Sequence, residues 1–169
     1  MKRYNLWAPW RIGYIQGLSE KQGCFVCSSL ADPQRDEENF VLWRTKSCVV
    51  IFNKFPYNNG HLLLAPQRHI AGLEDLNDSE LLEIMKLIGI SQKALTAAIK
   101  PHGFNIGMNI GRCAGAGLPE HLHIHIVPRW DGDTSFMDVC AGTDVISQSI
   151  KDLYHQLKDI SDKHNLPGI

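Results

Sequence analysis

Residues 121–127 read His121-Leu122-His123-Ile124-His125-Ile126-Val127. Strict alternation of polar and apolar residues predicts a β-strand with one covered face, because successive side chains on a strand project to opposite sides. The three histidines then share one face. Leu122, Ile124 and Ile126 take the other, where a helix can cover them. Three adjacent imidazoles add nothing to an apolar core, and withdrawing them from water is costly unless their ring nitrogens find partners. A solvated face mixes Lys, Glu and Thr instead. Two chemical uses stay open. One is metal binding, since His-x-His on a strand aims two nitrogens at one point. The other is nucleophilic catalysis by imidazole, with neighbouring histidines as proton donors and orienters. Histidine titrates near ~6.5, so neutral and protonated rings coexist around neutrality.

The rest of the chain supplies a sheet and helices around this stretch. Residues 1–23 form an irregular arm with tryptophans at Trp7 and Trp10, and residues 31–39 are a polar loop. Phe40-Val41-Leu42-Trp43 and Cys48-Val49-Val50-Ile51-Phe52 are strand-like runs, and His61-Leu62-Leu63-Leu64-Ala65 follows the turn cluster Pro56-Tyr57-Asn58-Asn59-Gly60. The clearest helix begins after Asn77, with Glu80 three residues on as a capping box. Leu81, Leu82, Ile84, Met85, Leu87, Ile88, Leu95 and Ile99 recur at helical spacing, and Pro101 and Gly103 close it. Residues 104–110 alternate again, and Ile150, Leu153, Tyr154, Leu157 and Ile160 predict a C-terminal helix. Short strands on both sides of one long helix predict an α+β domain with an antiparallel sheet of about five strands. Residues 24–135 would form its core and 136–169 a helical extension of the same domain.

Two further features carry chemistry. The glycine-rich run Gly111-Arg112-Cys113-Ala114-Gly115-Ala116-Gly117 can bring backbone amides close to an anion, and Arg112, Arg129 and Lys54 can add positive charge for a polyphosphate. No Gly-Lys-Ser/Thr follows, so it is not a P-loop. Cys24-Phe25-Val26-Cys27 is half of a tetrahedral metal site, and His69 with one histidine of the triplet is available to complete it. The chain is 169 residues long, with 17 basic and 18 acidic residues, which disfavours general nucleic-acid binding. No apolar run is long enough to span a membrane, and the start lacks a signal-peptide core. An odd count of 5 cysteines fits reduced thiols in a cytoplasm better than a disulfide framework. Cys48, Cys113 and Cys140 read as ordinary buried or loop thiols.

Residues 121–127 match in full the His-φ-His-φ-His-φ-φ signature, with φ apolar, and the chain resembles the histidine triad family over about residues 24–130. Asn53, Gly60-His61, the helix over 78–99 and Asn109 fall in the family's order. The flanks Leu6-Trp7-Ala8-Pro9-Trp10-Arg11 and Val127-Pro128-Arg129-Trp130-Asp131-Gly132-Asp133-Thr134 are similar to its bacterial branch of diadenosine tetraphosphate phosphorylases.

The resemblance implies nucleotidyl transfer through a covalent nucleotidyl-histidine. His123 would attack the α-phosphorus, with His125 and His61 lining the pocket and a main-chain carbonyl holding its other nitrogen. Asn53 would sit by the ribose, and Asn109 with the amides of Gly115, Ala116 and Gly117 would hold phosphates. Cys24, Cys27, His69 and His121 would bind a structural zinc. It further implies an adenosine polyphosphate substrate, inorganic phosphate as second substrate, a divalent cation able to accompany the nucleotide, and a homodimer. Ala116-Gly117-Leu118-Pro119-Glu120 stands where many hydrolase-like members carry Gly-Gln-Ser/Thr-Val, so phosphorolysis to ADP and ATP is the leading expectation. The alternatives are hydrolysis of dinucleoside polyphosphates or adenosine phosphoramidates, a non-catalytic purine-nucleotide-binding regulator, and a plain metalloenzyme. Histidine at position 125 excludes the transferase branch that has glutamine there.

Overall fold

The computed structural model describes residues 23–133 and 146–169. The arm with Trp7 and Trp10, Cys140 and residues 136–145 of the extension lie outside the described residues. Five strands form one antiparallel sheet in the order β1-β2-β3-β5-β4. They are β1 (Val41–Arg44), β2 (Cys48–Phe52), β3 (Leu62–Pro66), β4 (Gly103–Gly107) and β5 (Ile124–Arg129). Two short helices, α1 (Phe25–Leu30) and α2 (Asp36–Asn39), precede the sheet. The long α3 (Asp78–Ile99) joins β3 to β4, and α4 (Ile150–His164) ends the chain.

The sheet separates two apolar layers. Val50, Phe52, Leu62, Leu64, Ile124 and Ile126 face α3 and α4 and meet Ile84, Leu87, Leu95, Leu153, Tyr154 and Leu157. Each fully buried Leu or Ile contributes about 1.5–3 kcal/mol, so this layer dominates the stability. The other face is thinner: Val26 of α1 packs on Val41, Val49, Ile51 and Ala65. The histidines emerge on this thinner side. Hydrogen bonds fasten α4 to the sheet edge, with Trp43 Nε1 donating to Ser161 Oγ at 2.9 Å and the Tyr154 hydroxyl to the Val41 carbonyl at 3.3 Å. The C-terminal segment thus belongs to the principal core.

The long helix starts and stops where the sequence indicates. Asn77 accepts from the Glu80 amide at 3.0 Å, and Glu80 Oε2 accepts from the Asn77 amide at 3.0 Å, the reciprocal box that satisfies two orphan donors. Lys100 closes it in a left-handed conformation with φ 48°. Its apolar stripe is wider than the sheet can cover, and Leu81, Leu82 and Met85 stay exposed. Two strands are shorter than the alternation predicts. β4 ends at Gly107 rather than 110, and β5 begins at Ile124 rather than 121, where the Leu122 N–H donates to the Ile70 carbonyl and the His121 carbonyl accepts from the His123 ring instead of from a neighbouring strand. Among the described residues no helix is long and apolar enough to cross a membrane.

Candidate active site

The turn from β2 into β3 places the first histidine. Gly60 takes φ 74° here, and a Cβ would stand 2.8 Å from Ile99 Cδ1 and 3.2 Å from Pro128 Cγ, so both conformation and space require glycine. The next residue, His61, is buried beside His125, and the two are 2.9 Å apart through His61 Nε2 and His125 Nδ1.

Bonding fixes the protons on these rings. The Tyr57 amide donates to His61 Nδ1 at 3.0 Å, and Asn53 Nδ2 lies 3.3 Å from the same atom. His61 Nδ1 is therefore an acceptor, and Nε2 carries the proton and donates it to His125 Nδ1. It follows that His125 holds its own proton on Nε2. That atom is buried with no partner among the described residues. An orphaned buried donor is costly unless a ligand accepts from it. Burial, with the neighbouring histidines secondary, lowers the His61 pKa to about 3 and that of His125 to about 4, so both rings are neutral at physiological pH.

His123 is placed differently. Its Nδ1 donates to the His121 carbonyl at 2.8 Å, which leaves Nε2 as an unprotonated lone pair. Nε2 makes no hydrogen bond among the described residues. The His123 and His125 rings lie 5.1 Å apart between centroids, and Phe25 stands edge-on to His123 at 6.5 Å. A lone pair and an unpartnered N–H donor thus belong to neighbouring rings, as attack on an electrophile bearing an oxyanion requires.

His121 turns to a second cluster. Cys24 Sγ is 3.2 Å from His121 Nδ1, Cys27 Sγ is 3.2 Å from His69 Nδ1 and 3.6 Å from His121 Nδ1, and all four donor atoms lie within 4.8 Å. Ligands of a tetrahedral zinc ion stand ~3.3–3.8 Å from one another, so the residues fit such an ion. His121 Nε2 donates to the Pro66 carbonyl at 2.8 Å, which leaves Nδ1 free for a metal. Arg68 steadies the segment carrying His69: it grips both carboxylate oxygens of buried Glu80 at 2.7 Å, and this pairing lowers the Glu80 pKa to about 2. Cys48 is elsewhere, buried in the core, and burial pushes its thiol up to about 12.

The glycine loop leaves the end of β4, whose Gly107 pairs with His125. Asn109 Nδ2 is 3.9 Å from where a Cβ on Gly115 would stand, so the asparagine does border the loop. The amides are less available than the sequence suggests. Gly115 N–H donates to the Arg112 carbonyl at 3.0 Å and Ala116 N–H to that of Gly111 at 3.3 Å, inside one tight turn. Gly117 N–H makes no backbone hydrogen bond among the described residues. The basic residues are also engaged, Arg129 by Asp133 and Asn105, Arg112 by Glu120, while Lys54 lies over Phe40. Trp130 packs at the end of α3, donating from Nε1 to the Ile99 carbonyl at 3.3 Å.

Sequence reasoning missed Tyr57. Its ring lies 5.6 Å from that of His125 at an interplanar angle of 18°, and 4.6 Å from that of His61. Only its position in a turn cluster ahead of Gly60-His61 hinted at this, and turn residues are read for conformation.

Two neutral histidines in relay, a third with a free lone pair and a Cys/His cluster able to hold a metal beside them define a protein class. The HIT domain model matches residues 34–132, and the chain belongs to this family of histidine triad proteins. It is 39% identical over 154 residues to an AP-4-A phosphorylase of Mycobacterium tuberculosis (strain CDC 1551 / Oshkosh), covering 88% of this chain and 79% of that protein. An asymmetrical bis(5'-nucleosyl)-tetraphosphatase of Schizosaccharomyces pombe is 35% identical over 99 residues, 59% of this chain and 54% of that protein. The fold is shared with a Zn-bound histidine triad family protein from Mycobacterium smegmatis, at TM-score 0.67, 20% identity, and coverage of 85% of this chain and 96% of that one.

Proposed function

We propose that this chain is an enzyme that splits dinucleoside polyphosphates by nucleotidyl transfer, with diadenosine tetraphosphate and inorganic phosphate as substrates and ADP and ATP as products. The single observation that carries the reading is His123. Its Nδ1 is pinned to the His121 carbonyl, and its Nε2 is left free beside the unpartnered Nε2–H of His125. The relatives named for dinucleoside tetraphosphate chemistry support the substrate class.

In the first step the His123 Nε2 lone pair forms a bond to the α-phosphorus, and the bond from that phosphorus to the bridging oxygen breaks. ATP leaves with the electron pair. Nδ1 keeps its proton, so the nucleotidyl-imidazole is a cation and a good leaving group for the second step. The His125 Nε2–H donates to a phosphoryl oxygen, where negative charge gathers in the transition state. In the second step a phosphate oxygen attacks the same phosphorus, the N–P bond breaks and ADP departs. Asn53, bonded to His61 Nδ1, serves the ribose and the relay together. Asn109 and Gly117 are the loop groups best placed to meet the outer phosphates, with the Gly115 and Ala116 amides held in their own turn.

The cysteine–histidine cluster takes one zinc ion with a structural task. When bound, the ion supplies a rigid anchor for His121 and hence for the carbonyl under His123; Cys24, Cys27, His69 and His121 would hold it. The working form is a homodimer, a reading supported by exposed Leu81, Leu82 and Met85 on α3 and by the outer edge of β4.

The test is a product time course on diadenosine tetraphosphate with and without phosphate, for the native chain and His123→Ala. ADP and ATP in phosphate, with loss of turnover by roughly 10⁴-fold or more in the variant, are expected. Equal rates of AMP and ATP release in both conditions would refute phosphorolysis and leave hydrolysis.

A further inference from the structure

Asp133 lies just past the end of β5, and its carboxylate ties several elements together. Oδ2 accepts from Arg129 Nε at 2.6 Å, from Asn58 Nδ2 at 2.9 Å and from the Trp130 N–H at 3.1 Å, while Oδ1 accepts from Arg129 Nη2 at 2.8 Å. Arg129 is anchored on β4 in turn, its Nη1 donating to Asn105 Oδ1 at 2.8 Å. The Asp133 side chain is only 11% exposed, and the guanidinium bonded to it holds its carboxyl well below the usual carboxylate range. The bond from Asn58 therefore ends on a fixed charge, which makes it stronger than one between neutral groups. Asn58 belongs to the β2–β3 turn, and every polar atom of its side chain is engaged. Nδ2 donates to Asp133 and to the Pro128 carbonyl at 3.2 Å, and Oδ1 accepts from the Asn59 N–H at 2.9 Å. Its main chain bears on the histidine pair. The Asn58 carbonyl accepts from the His61 N–H at 3.3 Å, and the preceding N–H, that of Tyr57, donates to His61 Nδ1 at 3.0 Å.

We propose that Asp133 is a positioning residue for the reaction: through Asn58 it holds the β2–β3 turn so that the Tyr57 N–H stays on His61 Nδ1, and this fixes the direction in which the His61–His125 relay points its protons. The inference rests on the nucleotidyl transfer proposed above, in which the His125 Nε2–H meets a phosphoryl oxygen. A neutral imidazole has two tautomers, and the partners of its nitrogens choose between them. With a donor fixed at Nδ1, His61 carries its proton on Nε2, gives it toward His125 Nδ1 and leaves His125 its proton on Nε2.

A turn released from β5 would draw the Tyr57 N–H away and leave Asn53 Nδ2, at 3.3 Å, as the donor at His61 Nδ1. His61 would then also populate the opposite tautomer, and His125 Nδ1 would donate to it. His125 Nε2 would in that state turn a lone pair toward the phosphoryl oxygen. Repulsion would replace a hydrogen bond at the atom where negative charge gathers in the transition state.

The native chain, Asp133→Ala, Asn58→Ala and the double variant are compared for kcat and KM on diadenosine tetraphosphate with phosphate, and by NMR of the His61 and His125 ring nitrogens without substrate. Each single variant is expected to lose roughly tenfold in kcat with KM within about twofold. That is less than the ~10²–10³ lost with an oxyanion donor outright, because Asn53 still donates to His61 Nδ1. The double variant is expected to lose no more than either single one, since both act along one path. In all three the His61 nitrogens are expected to pass from a pure Nε2–H signature to a mixed one. Asn105→Ala, which cuts the Arg129 contact on β4 and leaves Asn58 bonded to Asp133, is the control and is expected to keep native kcat and signature. If Asp133→Ala fails to fold, Asn58→Ala, which leaves the Arg129–Asp133 pair whole, carries the test. A native signature in folded Asp133→Ala or Asn58→Ala, whatever the kcat, would overturn the proposal. A mixed signature with native kcat would refute the part of the His125 donor in the reaction, and with it the service of Asp133 to catalysis, while upholding its hold on the tautomer. If the native chain does not turn this substrate over, the proposed function fails and the nitrogen signature alone decides whether Asp133 sets the tautomer.

Discussion

Replacing Gly60 by alanine puts the geometry of the β2–β3 turn to a quantitative test. An L-residue in the left-handed region that Gly60 occupies, φ 74°, costs about 1–2 kcal/mol. The new methyl would stand 2.8 Å from Ile99 Cδ1, 3.0 Å from Leu95 Cδ2 and 3.2 Å from Pro128 Cγ. The first two are ends of flexible side chains and can turn aside, whereas the proline ring cannot. Overpacking therefore adds about 1–2 kcal/mol, toward the low end of its range. Alanine restricts the unfolded chain and returns about 0.4–1 kcal/mol. The net expectation is a loss of about 2–3 kcal/mol, read from urea unfolding by far-UV circular dichroism. Gly103→Ala is the control, since a Cβ there has nothing within 4 Å, and it should cost under ~1 kcal/mol. Turnover should also fall, because His61 is the next residue and its Nε2–H holds His125. A Gly60→Ala protein within ~0.5 kcal/mol of the native one would refute the reasoning.

Other outcomes follow from the charges and the metal cluster. Glu80→Gln removes the charge that Arg68 grips and should cost ~1–2 kcal/mol at neutral pH, since Arg68 is itself half exposed. The Glu80 carboxyl is held down to about 2, so its stabilisation is complete above its ordinary 4.5 and fades as pH falls toward 2; the variant should lose that acid slope in urea midpoints. The His61 and His125 rings are held neutral down to about 3 and 4, so the unfolded chain takes up protons they refuse. Urea midpoints should therefore drop as pH falls below the ordinary histidine value of 6.5, a loss that begins above the Glu80 window and overlaps it below 4.5. Cys27→Ser should lower bound zinc well below one ion per chain by metal analysis and lower the Tm by roughly 5 °C or more.

Much of this was legible in the sequence because the relevant patterns are local. The reciprocal cap of Asn77 and Glu80 and the bounds of α3 depend on neighbours in the chain; alternation marked β4 and β5, and short apolar runs marked β1, β2 and β3. The Cys24, Cys27, His69 and His121 cluster was readable as donor types at suitable spacing, and the structure gathers all four. The missing parts are long-range. That Leu81, Leu82 and Met85 face outward depends on how wide a stripe the sheet covers, which helical periodicity does not encode. The glycine loop suggested three open amides, and two are spent within its own turn, a backbone detail that composition cannot carry. Tyr57 was invisible because its role comes from the fold of the turn around it.

His121 divides its work between side chain and main chain. The imidazole reaches toward the thiols, while the peptide oxygen of the same residue accepts from His123. Any amino acid offers that oxygen, so the tautomer of the His123 ring does not require histidine at this position. The two duties are separable by mutation: His121→Asn forfeits the imidazole of the Cys/His cluster yet retains the carbonyl that orients the proposed nucleophile, His123. Loss of metal-binding capacity and loss of the His123 contact are consequently distinct failures, coupled only through the backbone of residue 121.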